Sequence, residues 1–326
     1  MKRKLYIHTG PPKTGTSALQ YVLRDHDGSV IHYPKAGQWE DGAHHDLALN
    51  FFGDYTHPQT VREDIGALFD RVAEGARHSQ VPIVISSEML AVRTSPGHFV
   101  DALLSHLGGD FDVEILFTVR EHFERTASLY GQRVRSRYIR EKLSPDEYLT
   151  RRLPTLCYAS KLLRLMRTNF PIHLFGYEPG HDLVPRILRY IGFPDERIAV
   201  PPTRNPSRAI KLILAMLVAN RTEPNVARRQ KIAKAMEQLQ QRTASAQFIF
   251  GDEAALAAER RFARDRAFMS KRFKFELAAP DLTTMTNAFW IDEAEFAEIS
   301  DALAGLGDAR KKLRGGLRAF VRAPAA

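Results

Sequence analysis

The chain has a single cysteine, Cys157, in 326 residues, which excludes an internal disulfide and any zinc site built from several cysteines. Cys157 itself reads as a small buried apolar residue. Long apolar runs are also missing. Residues 209–219 come nearest, and Lys211 interrupts them well short of the ~18 residues that a membrane span needs. Behind the basic start Lys2-Arg3-Lys4, only Leu5-Tyr6-Ile7 precedes polar His8. That is too little for a signal peptide or membrane anchor, so a cytoplasmic location is expected. There is no internal repeat and no low-complexity tract. With 44% hydrophobic and 26% charged residues, the chain is globular in composition and long enough to bury a real core.

Negative charge is the scarcer sign. Lys plus Arg number 47 against 38 Asp plus Glu, a net +9, with a sequence pI near 9.6. From Pro201 onward there are 22 basic and 14 acidic residues, so most of the excess lies there. A second basic cluster is Arg133, Arg135, Arg137, Arg140 and Lys142. Such a balance points to a polyanionic partner or a ligand bearing phosphate or sulfate. No helix-turn-helix, zinc-finger or RNA-binding aromatic signature accompanies the charge, so nucleic acid is not the expected partner.

The first two-thirds alternates strands and helices. Strands are expected at residues 4–8, 30–33, 81–86, 113–119 and 172–177, and helices at 17–24, 61–77, 98–107, 121–140 and 183–191. The run Val81-Pro82-Ile83-Val84-Ile85 is apolar throughout, the pattern of a strand buried on both faces. Beyond Pro201 the periodicity is helical, at 207–220, 226–242 and 252–274, and Asp292 with Glu295 reads as a capping box. The expectation is an α/β fold: a parallel sheet flanked by helices, with a phosphate-binding loop after the first strand and a helical carboxyl-terminal part. Residues 1–204 are read as the α/β nucleotide-binding core. Residues 205–326 are read as a helical region packed on it.

The loop Gly10-Pro11-Pro12-Lys13-Thr14-Gly15-Thr16-Ser17 lies between the first strand and the first helix. A glycine-bearing strand–loop–helix presents backbone amides and a helix amino terminus to an anion. A Walker loop would place Lys and then Ser or Thr after its last glycine. Here Thr16 follows Gly15 and the lysine precedes that glycine by two residues. The second element is Arg120, ending the strand from Val113, with Ser128 eight residues on in the following helix. An arginine there can reach the crevice at the carboxyl edge of a parallel sheet, and the pair could clasp one phosphate.

Together these elements resemble the sulfotransferases that use 3′-phosphoadenosine 5′-phosphosulfate (PAPS). Pro12-Lys13-Thr14-Gly15-Thr16-Ser17 is similar to their 5′-phosphosulfate loop. The run from Val119-Arg120 to Ser128-Leu129-Tyr130 is similar to their 3′-phosphate motif. Leu174-Phe175-Gly176-Tyr177-Glu178 and Asn205-Pro206-Ser207 resemble further family segments, the latter in bacterial members. The resemblance covers roughly residues 4–220. Ala18 stands where the cytosolic steroid and phenol enzymes carry an adenine-stacking Trp, and Arg314-Gly315-Gly316 is no counterpart of their Arg-Lys-Gly motif.

The resemblance implies transfer of the sulfuryl group of PAPS to a hydroxyl, most simply of a carbohydrate or glycolipid, with no metal required. In that reading Pro12, Lys13, Thr14, Gly15, Thr16, Ser17, Arg120 and Ser128 bind the donor, and Lys13 also meets charge on the leaving oxygen. The acceptor hydroxyl needs a general base. Glu88 follows the strand from Val81, where the cytosolic enzymes place their catalytic His. His44 and His45 follow the second strand, where several sugar-directed members place theirs. Each could instead be structural, Glu88 as a helix cap and the histidines as loop residues. The basic segment 132–142 and the carboxyl-terminal helices could hold an anionic small-molecule or glycan acceptor. The alternatives are a nucleotide-dependent phosphotransferase and a basic nucleic-acid-binding protein.

Overall fold

The computed structural model describes residues 2–26, 28–92, 96–177, 183–194, 210–237, 239 and 248–322. In chain order the elements are β1 (Arg3–Thr9), α1 (Thr16–Arg24), α2 (His45–Phe51), α3 (Ile65–Arg77), β2 (Ile83–Ser86), α4 (Met89–Val92), α5 (Pro96–Leu107) and β3 (Phe111–Arg120). There follow α6 (His122–Arg135), α7 (Pro145–Leu156), α8 (Ala159–Leu165), β4 (Ile172–Tyr177) and α9 (Leu183–Tyr190). The later described elements are helical: α10 (Ile210–Thr222), α11 (Val226–Glu237), α12 (Asp252–Phe273), α13 (Glu293–Ala302) and α14 (Asp308–Leu317).

Among the described residues four strands form one sheet in the order β2-β1-β3-β4. Every pairing is parallel: Leu5 opposes Ile83, Thr9 opposes Phe117, and Arg120 opposes Tyr177. Both faces are covered. Leu5 and Ile7 share one core with Leu68, Phe69 and Val72 of α3, Phe99 and Leu103 of α5, and Leu162 and Leu165 of α8. Tyr6 points to the other face, where it joins Leu19 and Leu23 of α1 and Val184, Ile187 and Leu188 of α9. Double-sided burial is why the strands read as continuous apolar runs rather than as alternation. The chain is an α/β protein with a helical carboxyl-terminal part, as its alternating pattern indicates.

The chain divides into two compact units. The first comprises Met1–Glu121, Cys157–Arg204 and Asp265–Ala278, and contains the sheet. The second comprises His122–Leu156, Asn205–Arg264 and Ala279–Ala326. Its centre is α10, buried from Ile210 to Asn220 and packed against α6, α11 and α14. Among the described residues no helix is long and apolar enough to cross a membrane.

Several boundaries differ from the sequence expectation. The strand expected at 30–33 reduces to one parallel bridge, His32 to Ile83. The helix expected from residue 61 begins at Ile65, because Asp64 caps it by accepting the Ala67 amide at 2.9 Å. α6 stops at Arg135 rather than 140, since the Ser136 hydroxyl takes the amides of Tyr138 (3.3 Å) and Ile139 (3.1 Å) and diverts the chain. The capping box at Asp292 is present, with both of its reciprocal bonds to Glu295. Glu178, Asn205-Pro206-Ser207 and the ends of the helices expected at 207 and 242 lie outside the described residues.

Candidate functional site

In a parallel sheet of order β2-β1-β3-β4 the connections leave β1 and β3 in opposite directions, which opens a crevice at their carboxyl ends. Thr9 and Arg120 are those ends, so both sequence motifs start from the crevice. Gly10 passes against β3, where a Cβ would lie 2.8 Å from the Thr118 carbonyl oxygen and closer still to its hydroxyl. Thr14 folds inward and is fully buried. Its hydroxyl donates to the Pro11 carbonyl (2.8 Å) and lies 2.8 Å from that of Thr118. Lys13 (φ 74°) and Gly15 (φ 90°) are both left-handed. Such residues curl a backbone into an anion-holding concavity. Gly15 is also the N-cap of α1 and supplies no capping side chain, so the first amides of that helix are left for a ligand or water. Pro12 and Lys13 are half-buried, while Ser17 and Ala18 are exposed on the first turn of α1.

Glu88 stands beside this loop. The Thr16 hydroxyl donates to its carboxylate. Burial pushes the Glu88 carboxyl up from the usual range and the charge of Asp41 adds to this, while the Thr16 hydrogen bond and the Lys13 ammonium pull it down. The loop lysine, the helix hydroxyl and the carboxylate after β2 are thus electrostatically one group.

The two histidines differ. His44 Nδ1 accepts the Ser86 amide at 3.1 Å, so its Nε2 carries the proton and donates to the Pro34 carbonyl at 2.6 Å. Both ring nitrogens are committed to backbone, and burial lowers the pKa to about 4. His44 therefore splices the loop before α2 to the end of β2. His45 opens α2, with Nδ1 2.9 Å from the Ser87 hydroxyl and its ring edge-on to Trp39 at 4.6 Å. Its pKa is also lowered to about 4, chiefly by burial.

Arg120 is fixed by its backbone. Its amide donates to the Tyr158 phenol oxygen (3.0 Å), and that hydroxyl donates to the Arg120 carbonyl (2.6 Å). Its guanidinium lies 4.7 Å from the Tyr177 ring centroid. The same ring faces the phosphate loop, since a Cβ on Gly15 would come within 2.7 Å of Tyr177 Cδ2. Tyr177 therefore joins the two motifs at the sheet edge. Ser128, half-buried in the second turn of α6, belongs to the second unit.

Sequence reasoning did not single out Thr118, Tyr158, the place of Tyr177 between Gly15 and Arg120, or the bonds that Ser86 makes. His8 Nδ1 lies 2.7 Å from the Ser86 hydroxyl, and the Gln20 amide donates to that hydroxyl at 3.1 Å. The available signal was a polar residue near the carboxyl end of an otherwise apolar strand, as at His8, Ser86 and Thr118. No family model matches the chain, and no match is found among curated proteins or solved structures.

Proposed function

We propose that the chain is a PAPS-dependent sulfotransferase acting in the cytoplasm on a hydroxyl of a carbohydrate or glycolipid. The observation that carries this reading is the loop after β1: two left-handed residues and an uncapped helix start, with a lysine between glycines and a carboxylate hydrogen-bonded to Thr16. The donor set suits a phosphate-linked anion, since backbone amides, Thr16 and Ser17 can take its oxygens and Lys13 its charge. Arg120 is the group for the 3′-phosphate. When bound, PAPS supplies an activated sulfuryl group whose leaving group is a phosphate.

The work left to the protein is positioning and charge. Lys13 stabilises negative charge building on the leaving oxygen. Glu88 takes the proton of the acceptor hydroxyl, and its raised pKa brings it nearer the operating pH, where a base is most effective. His45 is the second candidate base, because its Nδ1 meets a hydroxyl rather than backbone.

A second reading, a nucleotide-dependent phosphotransferase, is favoured by one observation. A hydroxyl and a carboxylate in contact at the start of α1 are the group types that hold magnesium beside a nucleotide phosphate. Thermal-shift titration with 3′,5′-adenosine bisphosphate and with ATP, each with and without magnesium, separates the two. The expected result is stabilisation by the bisphosphate without metal, approaching about 2.7 kcal/mol at a hundredfold excess over Kd, with ATP weak. Magnesium-dependent ATP shifts of equal size would move the assignment to the phosphotransferase.

A further inference from the structure

A second basic site lies wholly within the second unit. A cavity of about 230 Å³ is lined by Arg140, Lys142, Asn220, Arg221, Glu223 and Arg229, with Thr222 and Pro224. Its frame is held by buried Asn220, whose amide donates to the carbonyls of Val134 (2.7 Å) and Glu141 (3.0 Å). Arg221 Nε donates to the Lys142 carbonyl at 2.8 Å. These bonds lock the chain after α6 to the end of α10, so the cationic side chains converge on a fixed backbone.

Arg229 is the unusual member. It is only 6% exposed, and its Nη1 donates to the carbonyls of Glu223 (2.6 Å) and Pro224 (3.0 Å). Its Nη2 is buried with no hydrogen-bond partner among the described residues. Glu223, the one carboxylate among the described lining residues, is engaged elsewhere: Oε1 accepts the Asn225 amide at 2.9 Å and Oε2 lies 3.6 Å from Arg228. Four cationic side chains thus face one carboxylate that a fifth cation already shares. Water in the cavity could not balance that charge, whereas a multiply charged oxyanion would. Burial and the nearby Arg140 charge both lower the Arg229 pKa, as expected of a cation short of counter-charge.

We propose that this pocket binds one phosphate or sulfate group of a small-molecule or glycan ligand, with Arg140, Lys142, Arg221 and Arg229 closing around it. The pocket shares no residue with the loop at β1, so its ligand does not depend on what that loop holds.

The test is calorimetric titration of the full chain carrying Lys13→Ala, which weakens the loop as a competing anion site, at low ionic strength. The probes are inorganic phosphate, inorganic sulfate, glucose 6-phosphate and glucose 6-sulfate. Saturable binding is expected, weakened at least about tenfold by Arg221→Gln or Arg140→Gln, the loss of one charge-assisted contact. Arg229→Lys keeps the charge but not the fork and should weaken it further. Because Arg229 is buried and its replacement puts folding at risk, the two more exposed variants carry the decision. Preference for one sugar ester assigns the natural group as sulfate or phosphate, and either supports the site. Absence of binding in the Lys13→Ala chain, or binding indifferent to both Arg221→Gln and Arg140→Gln, overturns it.

Discussion

Lys13 adopts a left-handed backbone that costs a non-glycine residue about 1–2 kcal/mol. Its ammonium also holds down a carboxyl that burial alone would push higher. Removing the lysine therefore has two expected effects. Lys13→Ala should lose most sulfuryl transfer, because the leaving oxygen loses its cation. The residual activity should show its acid limb displaced to higher pH, because Glu88 then protonates more readily. A base works only when deprotonated, so turnover falls as pH drops through the raised Glu88 pKa. Glu88→Gln keeps size and removes basicity. It should lower turnover at least about a hundredfold with donor affinity intact. Near-normal turnover in Glu88→Gln would transfer the role to His45, whose ring does not answer to two backbone groups as that of His44 does. The position of Lys13 between the first strand and helix was legible from glycine spacing alone. The commitment of His44 to Ser86 and Pro34 was not, because it depends on two segments distant in sequence.

At the level of elements, the loop works only if its glycines let backbone approach other chain segments. Gly15 has φ 90°, and an added Cβ would lie 2.7 Å from Tyr177 Cδ2 and 2.8 Å from Leu183 Cδ2. Gly15→Ala should cost about 2–4 kcal/mol, from left-handed strain plus overpacking, and should abolish binding of 3′,5′-adenosine bisphosphate. Gly53→Ala is the control: it carries the same left-handed strain, but among the described residues nothing lies within 4 Å of the added Cβ, so it should cost less and leave nucleotide binding unchanged. Denaturant midpoints and a binding titration on both variants check this, and equal losses of binding would dissociate the loop from the nucleotide. β1, β2 and β3 were legible because each centres on an apolar run buried on both faces, whereas the edge strand β4 is half-buried over most of its length. α2 was not: six of its seven residues are buried, which erases the amphipathic periodicity that marks a surface helix. The segment 30–33 carries strand composition but pairs at one position only, and pairing depends on the partner strand rather than on composition. Tyr177 was visible as a strand end. Its place between Gly15 and Arg120 follows from the register of β4 on β3, which no local pattern encodes.

For the whole molecule, the cost of assembling the sheet edge is paid in acid stability. His8, His44 and His45 are buried in the first unit with pKa values lowered to about 3, 4 and 4. Each is neutral in the folded chain yet takes a proton in the unfolded chain below about pH 6.5. The unfolded state therefore binds more protons, and stability falls as pH drops from about 6.5 toward 4. Near pH 5 the three together release nearly three protons on folding. Glu88 opposes this by less than one proton, because its raised pKa makes the folded state the better proton binder. Glu114, lowered by its bonds to Lys4 and Tyr190 against the opposing effect of burial, favours the folded state only while ionised. The net slope should be about 2–4 kcal/mol per pH unit near pH 5, steep against a usual total stability of about 5–15 kcal/mol. Trp39, edge-on to His45, reports on this unit once Trp290 is replaced by Phe. Urea midpoints followed by Trp39 fluorescence between pH 4 and 7 should show the slope, and His45→Gln should reduce it by about one proton, or ~1.4 kcal/mol per pH unit. An unchanged slope in His45→Gln would mean that His45 is charged in the folded chain, and a flat profile across that window would mean that all three rings are. A charged His44 carries a proton on Nδ1 and could not accept the Ser86 amide, so the join between α2 and the end of β2 would then have to be held by other bonds.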